Sequence, residues 1–94
     1  MSAAQAEKAH RFQALHAQGC FVLSNAWDAG STRLLASLGY AAIATTSAGL
    51  AFSLGRRDGE RAVAAAEALA NAEAIVAATD LPVTADLEDG YALH

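Results

Sequence analysis

Proline, cysteine and tryptophan each occur once in these 94 residues. The single cysteine, Cys20, excludes an internal disulfide and fits a reducing compartment. It heads the apolar run Cys20-Phe-Val, where it reads as a packed thiol rather than a nucleophile. Basic residues are scarce, six against ten acidic ones, for a net charge of −4 and a pI near 5.1. Arg56-Arg57 is the one adjacent basic pair. That scatter argues against a nucleic-acid partner, because phosphate binding needs clustered Lys and Arg. No apolar run approaches the ~20 residues of a membrane span. The start, Met1-Ser-Ala-Ala-Gln-Ala-Glu-Lys, lacks the apolar core of a signal peptide. The expectation is a cytoplasmic protein with no membrane partner.

What the chain does contain is alanine. A hydrophobic content of 54% with 17% charged residues places it among globular proteins, since apolar burial can offset the entropy of ordering. Alanine buries little area, so the core is thinner than the percentage suggests, and the few aromatic rings carry much of it. The length allows one small domain at most.

Apolar spacing predicts a helix over residues 4–17, broken by Gly19, with Glu7 four before Arg11. A short strand follows over 20–24. Asn25-Ala-Trp-Asp-Ala-Gly is the loop after it, with Asp28 placed to cap a helix running to Leu38. Gly39 is a left-handed stop, and residues 41–45, uniformly small and apolar, read as a strand buried on both faces. Residues 46–59, with glycines at 49, 55 and 59, read as a long binding loop. A third helix is expected over 60–78, its apolar face formed by Ala62, Ala65, Leu69, Ala72 and Val76, with Glu60, Glu67 and Asn71 on another. Pro82 bars its continuation, and 83–86 is the third strand.

The order β-α-β-α-β implies an α/β fold with parallel strands and right-handed crossovers. Three parallel strands cannot bury both faces of a sheet with so few helices, whereas an eight-stranded barrel takes ~250 residues. The expected fold is therefore the first three βα units of a (β/α)8 TIM-type barrel, preceded by an N-terminal helix and incomplete in these 94 residues. A dinucleotide-binding half-domain is the rival, weakened because the first βα loop has one glycine where G-x-G-x-x-G is needed.

In a barrel the C-terminal strand ends share one mouth, which would gather residues 25–28, 45–47 and 86–88. On an extended chain Asp86 and Glu88 project to one face while Asp89 points away. Two convergent carboxylates suit Mg²⁺, with Asp86 bound directly and Glu88 directly or through water. Equally, Asp-Leu-Glu-Asp-Gly can be a solvated acidic turn. Thr45, Thr46 and Ser47 could hold a carboxylate or phosphate, or satisfy local backbone. Asp58 could reach the site from the loop, cap the next helix, or both. Arg56 and Arg57 could steer an anion, although surface arginines need no such role. His10 and His16 read as structural or solvated, His94 as uninformative, and Trp27 as a packing residue near the mouth.

The stretches Phe21-Val-Leu-Ser-Asn-Ala-Trp-Asp-Ala-Gly-Ser-Thr-Arg-Leu-Leu, Ala44-Thr-Thr-Ser-Ala-Gly-Leu, Ser53-Leu-Gly-Arg-Arg-Asp and Leu81-Pro-Val-Thr-Ala-Asp-Leu-Glu-Asp-Gly-Tyr together resemble the isocitrate lyase/phosphoenolpyruvate mutase superfamily. Each is weak alone, and their order and spacing carry the resemblance. It implies a Mg²⁺-dependent barrel, with Mn²⁺ a possible substitute, that makes or breaks C–C or P–C bonds next to a 2-oxo acid through an enolate. Asp86 then matches the direct metal-binding aspartate, and Glu88 the second acid of a D-x-D pattern that is D-x-E here. Thr45, Thr46 and Ser47 match the carboxylate-binding segment, commonly Ser-Gly-rich, and Asp58 the loop aspartate near the metal. Asp58 and Asp86 are thus the implied catalytic pair. The longer Glu88 alters the metal contact, and the hydroxyl-rich segment leaves less room for close backbone approach.

The resemblance further implies a small anionic 2-oxo-acid substrate and a homo-oligomer for the complete protein. Residues 1–94 would be the N-terminal part of one barrel domain, inactive alone, with the superfamily lyases' cysteine loop and later arginine lying beyond His94. The leading expectation is a C–C lyase, with phosphonate-type P–C chemistry as the runner-up. The rival of another class is a truncated, non-catalytic product that self-associates to cover open sheet edges.

Overall fold

The computed structural model describes residues 2–17, 19–59 and 62–88. It is an α/β fold of four helices and a three-stranded parallel sheet in the order β1-β2-β3: α1 (Ala3–Leu15), β1 (Leu23–Ala26), α2 (Ala29–Ser37), β2 (Ala42–Thr45), α3 (Ser47–Ser53), α4 (Ala65–Ala77) and β3 (Val83–Thr84).

The middle strand is built of small and β-branched residues, and all four are buried, as a strand covered on both faces requires. Its register pairs Ala26 with Thr45 and Ile43 with Val83. Ala26, Ile43 and Ile75 of α4 are fully buried in one cluster, with Leu35 of α2, Leu81 and Val83 packed against it. Helices α2 and α4 therefore cover the same face of the sheet and touch each other. A second cluster, Leu50, Ala51, Val63 and Ala68, joins α3 to the start of α4.

Caps set the helix starts. Ser2 and Gln5 form a capping box at α1, and Asp28 with Ser31 forms one at α2, its Oδ1 accepting the Ser31 N–H at 2.8 Å. Gly39 ends α2 at φ 93, the left-handed stop expected of it. Helix α1 buries no residue fully, and is held instead by its cations. Lys8 Nζ donates to the carbonyls of Thr79 at 2.7 Å and Val76 at 3.3 Å, and Arg11 donates to that of Asp80. Helix α4 has no basic residue in its last turn, so Lys8 supplies from another helix the positive charge that its carbonyl end favours.

Several boundaries differ from expectation. Residues 46–59 are not one loop, since Thr46 caps the seven-residue α3 by accepting the Gly49 N–H at 3.2 Å. The third expected helix begins at Ala65, where Glu67 accepts the Ala64 N–H. Glu60, its expected start, lies outside the described residues. Leu69 is 58% exposed and the buried positions are Ala68 and Ile75, so the core face is rotated from the one read off the alanines. Strand β1 starts at Leu23, leaving Cys20 exposed rather than packed. Arg11 turns to Asp80 rather than to Glu7.

Candidate active site

Each strand's C-terminal end delivers part of the site. After β1 come Trp27 and Asp28, and after β2 come Thr46 and the first turn of α3. After β3 the backbone leaves the ladder at Ala85, two residues earlier than the strand expected to reach Asp86.

Three hydrogen bonds fasten Asp86. Its N–H donates to Thr45 Oγ1 at 2.8 Å, which extends the β2–β3 connection one step past the last ladder pair. Its Oδ2 accepts the Ser47 N–H at 3.5 Å, a long contact, and its Oδ1 accepts the Glu88 N–H at 3.1 Å. The last of these folds the chain into an Asx-type turn, with Glu88 at φ 50 in the left-handed region. Asp86 and Glu88 are thus brought together by a turn, not by the pleat of a strand. Asp89 lies outside the described residues.

Ser47, Asp58 and Glu88 line one small cleft with Ala51, Gly59, Ala62 and Val63. The structure therefore groups Thr45, Ser47, Asp58, Asp86 and Glu88 at one end of the sheet. Their roles differ from one another. The Thr45 hydroxyl is taken up by Asp86, and the Thr46 hydroxyl is the cap of α3. Ser47 is the member of that segment that lines the cleft. Asp58 does not cap α4, which starts seven residues later at Ala65.

Arg56 is engaged, its Nη1 2.6 Å from Glu67 Oε1 and 3.2 Å from the Ala62 carbonyl. The Arg56 hydrogen bond, aided by the Ala64 N–H, holds the Glu67 carboxyl below its ordinary range. Asp28 is likewise lowered, first by the Ser31 N–H and then by the Ser31 hydroxyl. His16 is exposed, its Nδ1 2.7 Å from the Phe12 carbonyl and its ring edge-on to Phe12 and Phe21.

The residue that sequence reasoning passed over is Gly49. A Cβ there would overlap the Trp27 ring and the Thr46 methyl group. Trp27 also meets Phe52 edge-on, with centroids 6.4 Å apart. The available signal was Thr46 three residues before Gly49, a cap pattern hidden by reading the glycine as a loop marker.

The family model for phosphoenolpyruvate phosphomutase matches residues 12–94. The chain belongs to this family. It is 48% identical to a lyase/mutase candidate from Burkholderia cenocepacia J2315, whose crystal structure superposes with a TM-score of 0.90 over 97% of this chain and 32% of that one. A phosphonomutase candidate from the same organism is 46% identical, with a TM-score of 0.84 over 94% and 35% of the two chains. A 2,3-dimethylmalate lyase of the PEP mutase/isocitrate lyase superfamily is 28% identical, with a TM-score of 0.77 over 97% and 32%. The uncharacterized protein Rv1998c of Mycobacterium tuberculosis is 46% identical over 82 residues, covering 85% of this chain and 31% of that one. The chain thus spans about a third of the length of the relatives it matches. It is homologous to superfamily lyases and mutases, and no helix among the described residues is long and apolar enough to cross a membrane.

Proposed function

We propose that residues 1–94 supply the first three βα units of a (β/α)8 barrel that cleaves or forms a C–C bond next to a 2-oxo acid. Support for the architecture comes from the parallel order β1-β2-β3, with sequential strands as neighbours, and from relatives about three times as long. The observation that carries the activity is the grouping of Ser47, Asp58 and Glu88 on one cleft with Asp86 fastened at its edge.

Among the described residues no three His, Cys, Asp or Glu side chains are grouped as a complete metal shell. The donor chemistry nevertheless fits Mg²⁺, which binds through one or two carboxylates and retains several waters. Among the described residues each Asp86 oxygen accepts one N–H, which leaves a lone pair for a cation. Asp86 would hold the ion and Glu88 would assist. A cation there supplies charge stabilisation for the oxygen that becomes negative beside the bond being broken.

The chain's own groups do the rest. The Thr45 hydroxyl and the Ser47 and Glu88 N–H groups hold Asp86 in one orientation, so little reorganisation is needed when substrate arrives. Ser47, which lines the cleft, would orient a substrate carboxylate. Asp58, on the same cleft from the segment before α4, would accept or return a proton. P–C chemistry is the second reading, favoured by the similarity to the phosphonomutase candidate.

The test is turnover by the complete protein of 2-hydroxy diacids that release a 2-oxo acid, and of phosphonates bearing a 2-oxo acid, with and without a chelator. Mg²⁺-dependent release from the first class supports the leading reading, and from the second the runner-up. Turnover of neither sinks both.

A further inference from the structure

We propose that Trp27 is a positioning residue for Asp86, acting through Gly49 and the first turn of α3. The proposal rests on the reading of Asp86 as a cation-holding carboxylate. Helix α3 has seven residues, too few for its place to be set by its own hydrogen bonds. What it packs on must locate it. On one side Leu50 and Ala51 join the buried cluster with Val63 and Ala68. Elsewhere Trp27 leans on Gly49 and Phe52, positions three apart that neighbour each other on a helix surface.

The brace has a rigid foot. Trp27 follows the last residue of β1, and its N–H donates to Ser31 Oγ at 2.9 Å, tying it into the capping box of α2. It also has a defined load. Ser47, the first residue of α3, gives its N–H to Asp86 Oδ2, and Thr45, one residue before the cap, takes the Asp86 N–H. A displacement of α3 therefore alters the hold on Asp86. Trp27 is 46% exposed, which makes it a poor contributor of buried area and suits it to bracing.

The experiment compares Trp27→Ala, Trp27→Phe and Gly49→Ala in the full chain. Without metal, hydrogen exchange is followed at the Asp86 and Ser47 amides, with Ile43 in β2 as the internal reference. With metal, Mn²⁺ affinity is read from the electron paramagnetic resonance of the free ion. Trp27→Ala is expected to speed exchange at Asp86 and Ser47 more than at Ile43, and to weaken Mn²⁺ binding about tenfold, as loss of a group supporting a metal ligand does. Trp27→Phe should restore most of both. Gly49→Ala should eject the ring, red-shifting the emission of the one tryptophan, and reproduce the Trp27→Ala pattern.

A merely structural role would raise exchange at all three amides together, and that result overturns the proposal. So does unchanged Mn²⁺ affinity with unchanged Asp86 exchange in a folded Trp27→Ala protein. If Trp27→Ala fails to fold, Gly49→Ala decides by the same criteria. If the wild-type chain binds no Mn²⁺, the metal reading falls and the exchange data alone decide the brace.

Discussion

At the N-terminal edge of the sheet, Lys8 and Arg11 deliver their charges to the carbonyls of Val76, Thr79 and Asp80. At the C-terminal edge, Asp86 and Glu88 are exposed and have no ion-pair partner among the described residues. The first edge matches charge to carbonyls at and just past the end of α4 and closes the structure. The second fixes a carboxylate by neutral N–H and hydroxyl groups, with no compensating cation among the described residues. That contrast separates residues that hold the fold from residues available to a ligand, and it can be probed edge by edge.

The largest effect should come from Asp86→Ala, which is expected to weaken Mn²⁺ binding by more than the ~100-fold upper range for supporting groups, with thermal stability little changed. A large drop in melting temperature with intact binding would reverse the assignment of this edge. Gly49→Ala follows. Overlap with Trp27 and Thr46 should cost about 1–3 kcal/mol, the range for overpacking, or roughly 4–8 °C in melting temperature per kcal/mol for a domain of this size. Thr45→Val keeps shape and removes the acceptor of the Asp86 N–H. About 1–3 kcal/mol is expected for the orphaned donor, together with weaker Mn²⁺ binding, whereas Lys8→Met at the opposite edge should cost about 1–2 kcal/mol and leave binding unchanged.

The smallest effect is the pH dependence of Asp28. Its native carboxyl is lowered by Ser31, so its cap contribution is complete above about pH 4 and is lost as pH falls through the depressed native value. Asp28→Asn retains the cap and should flatten the acid limb of a stability profile only slightly, because solvent screens so exposed a carboxylate. An unchanged limb would place the acid sensitivity elsewhere.

Elements whose boundaries are set by side-chain chemistry were legible in the sequence. Asp28 as cap, Gly39 as stop, and the small apolar run of β2 all fall where local physics puts them. Helix α3 escaped because its length is short and its glycine is there for a tryptophan distant in sequence. The face of α4 was misread for a related reason, since alanines on every side erase the contrast that gives a helix its phase, and only Ile75 marks the core. The gathering of residues 45–47 and 86–88 at one end of the sheet could be read, as the strand ends converge in any parallel sheet of this order. The pairing of Asp86 with Glu88 could not be derived from strand alternation, because a side-chain-to-backbone bond overrides the pleat there.

The clamp between α1 and the end of α4 has a consequence for the order of assembly. Lys8 is 68 and 71 positions from its two acceptors, among the longest connections in the chain. During synthesis α1 leaves the ribosome before α4, yet its anchor does not exist until Thr79 has emerged. Its cations must therefore stay hydrated while the sheet is laid down, and docking of the first helix becomes a late, slow-closing event in the birth of this region.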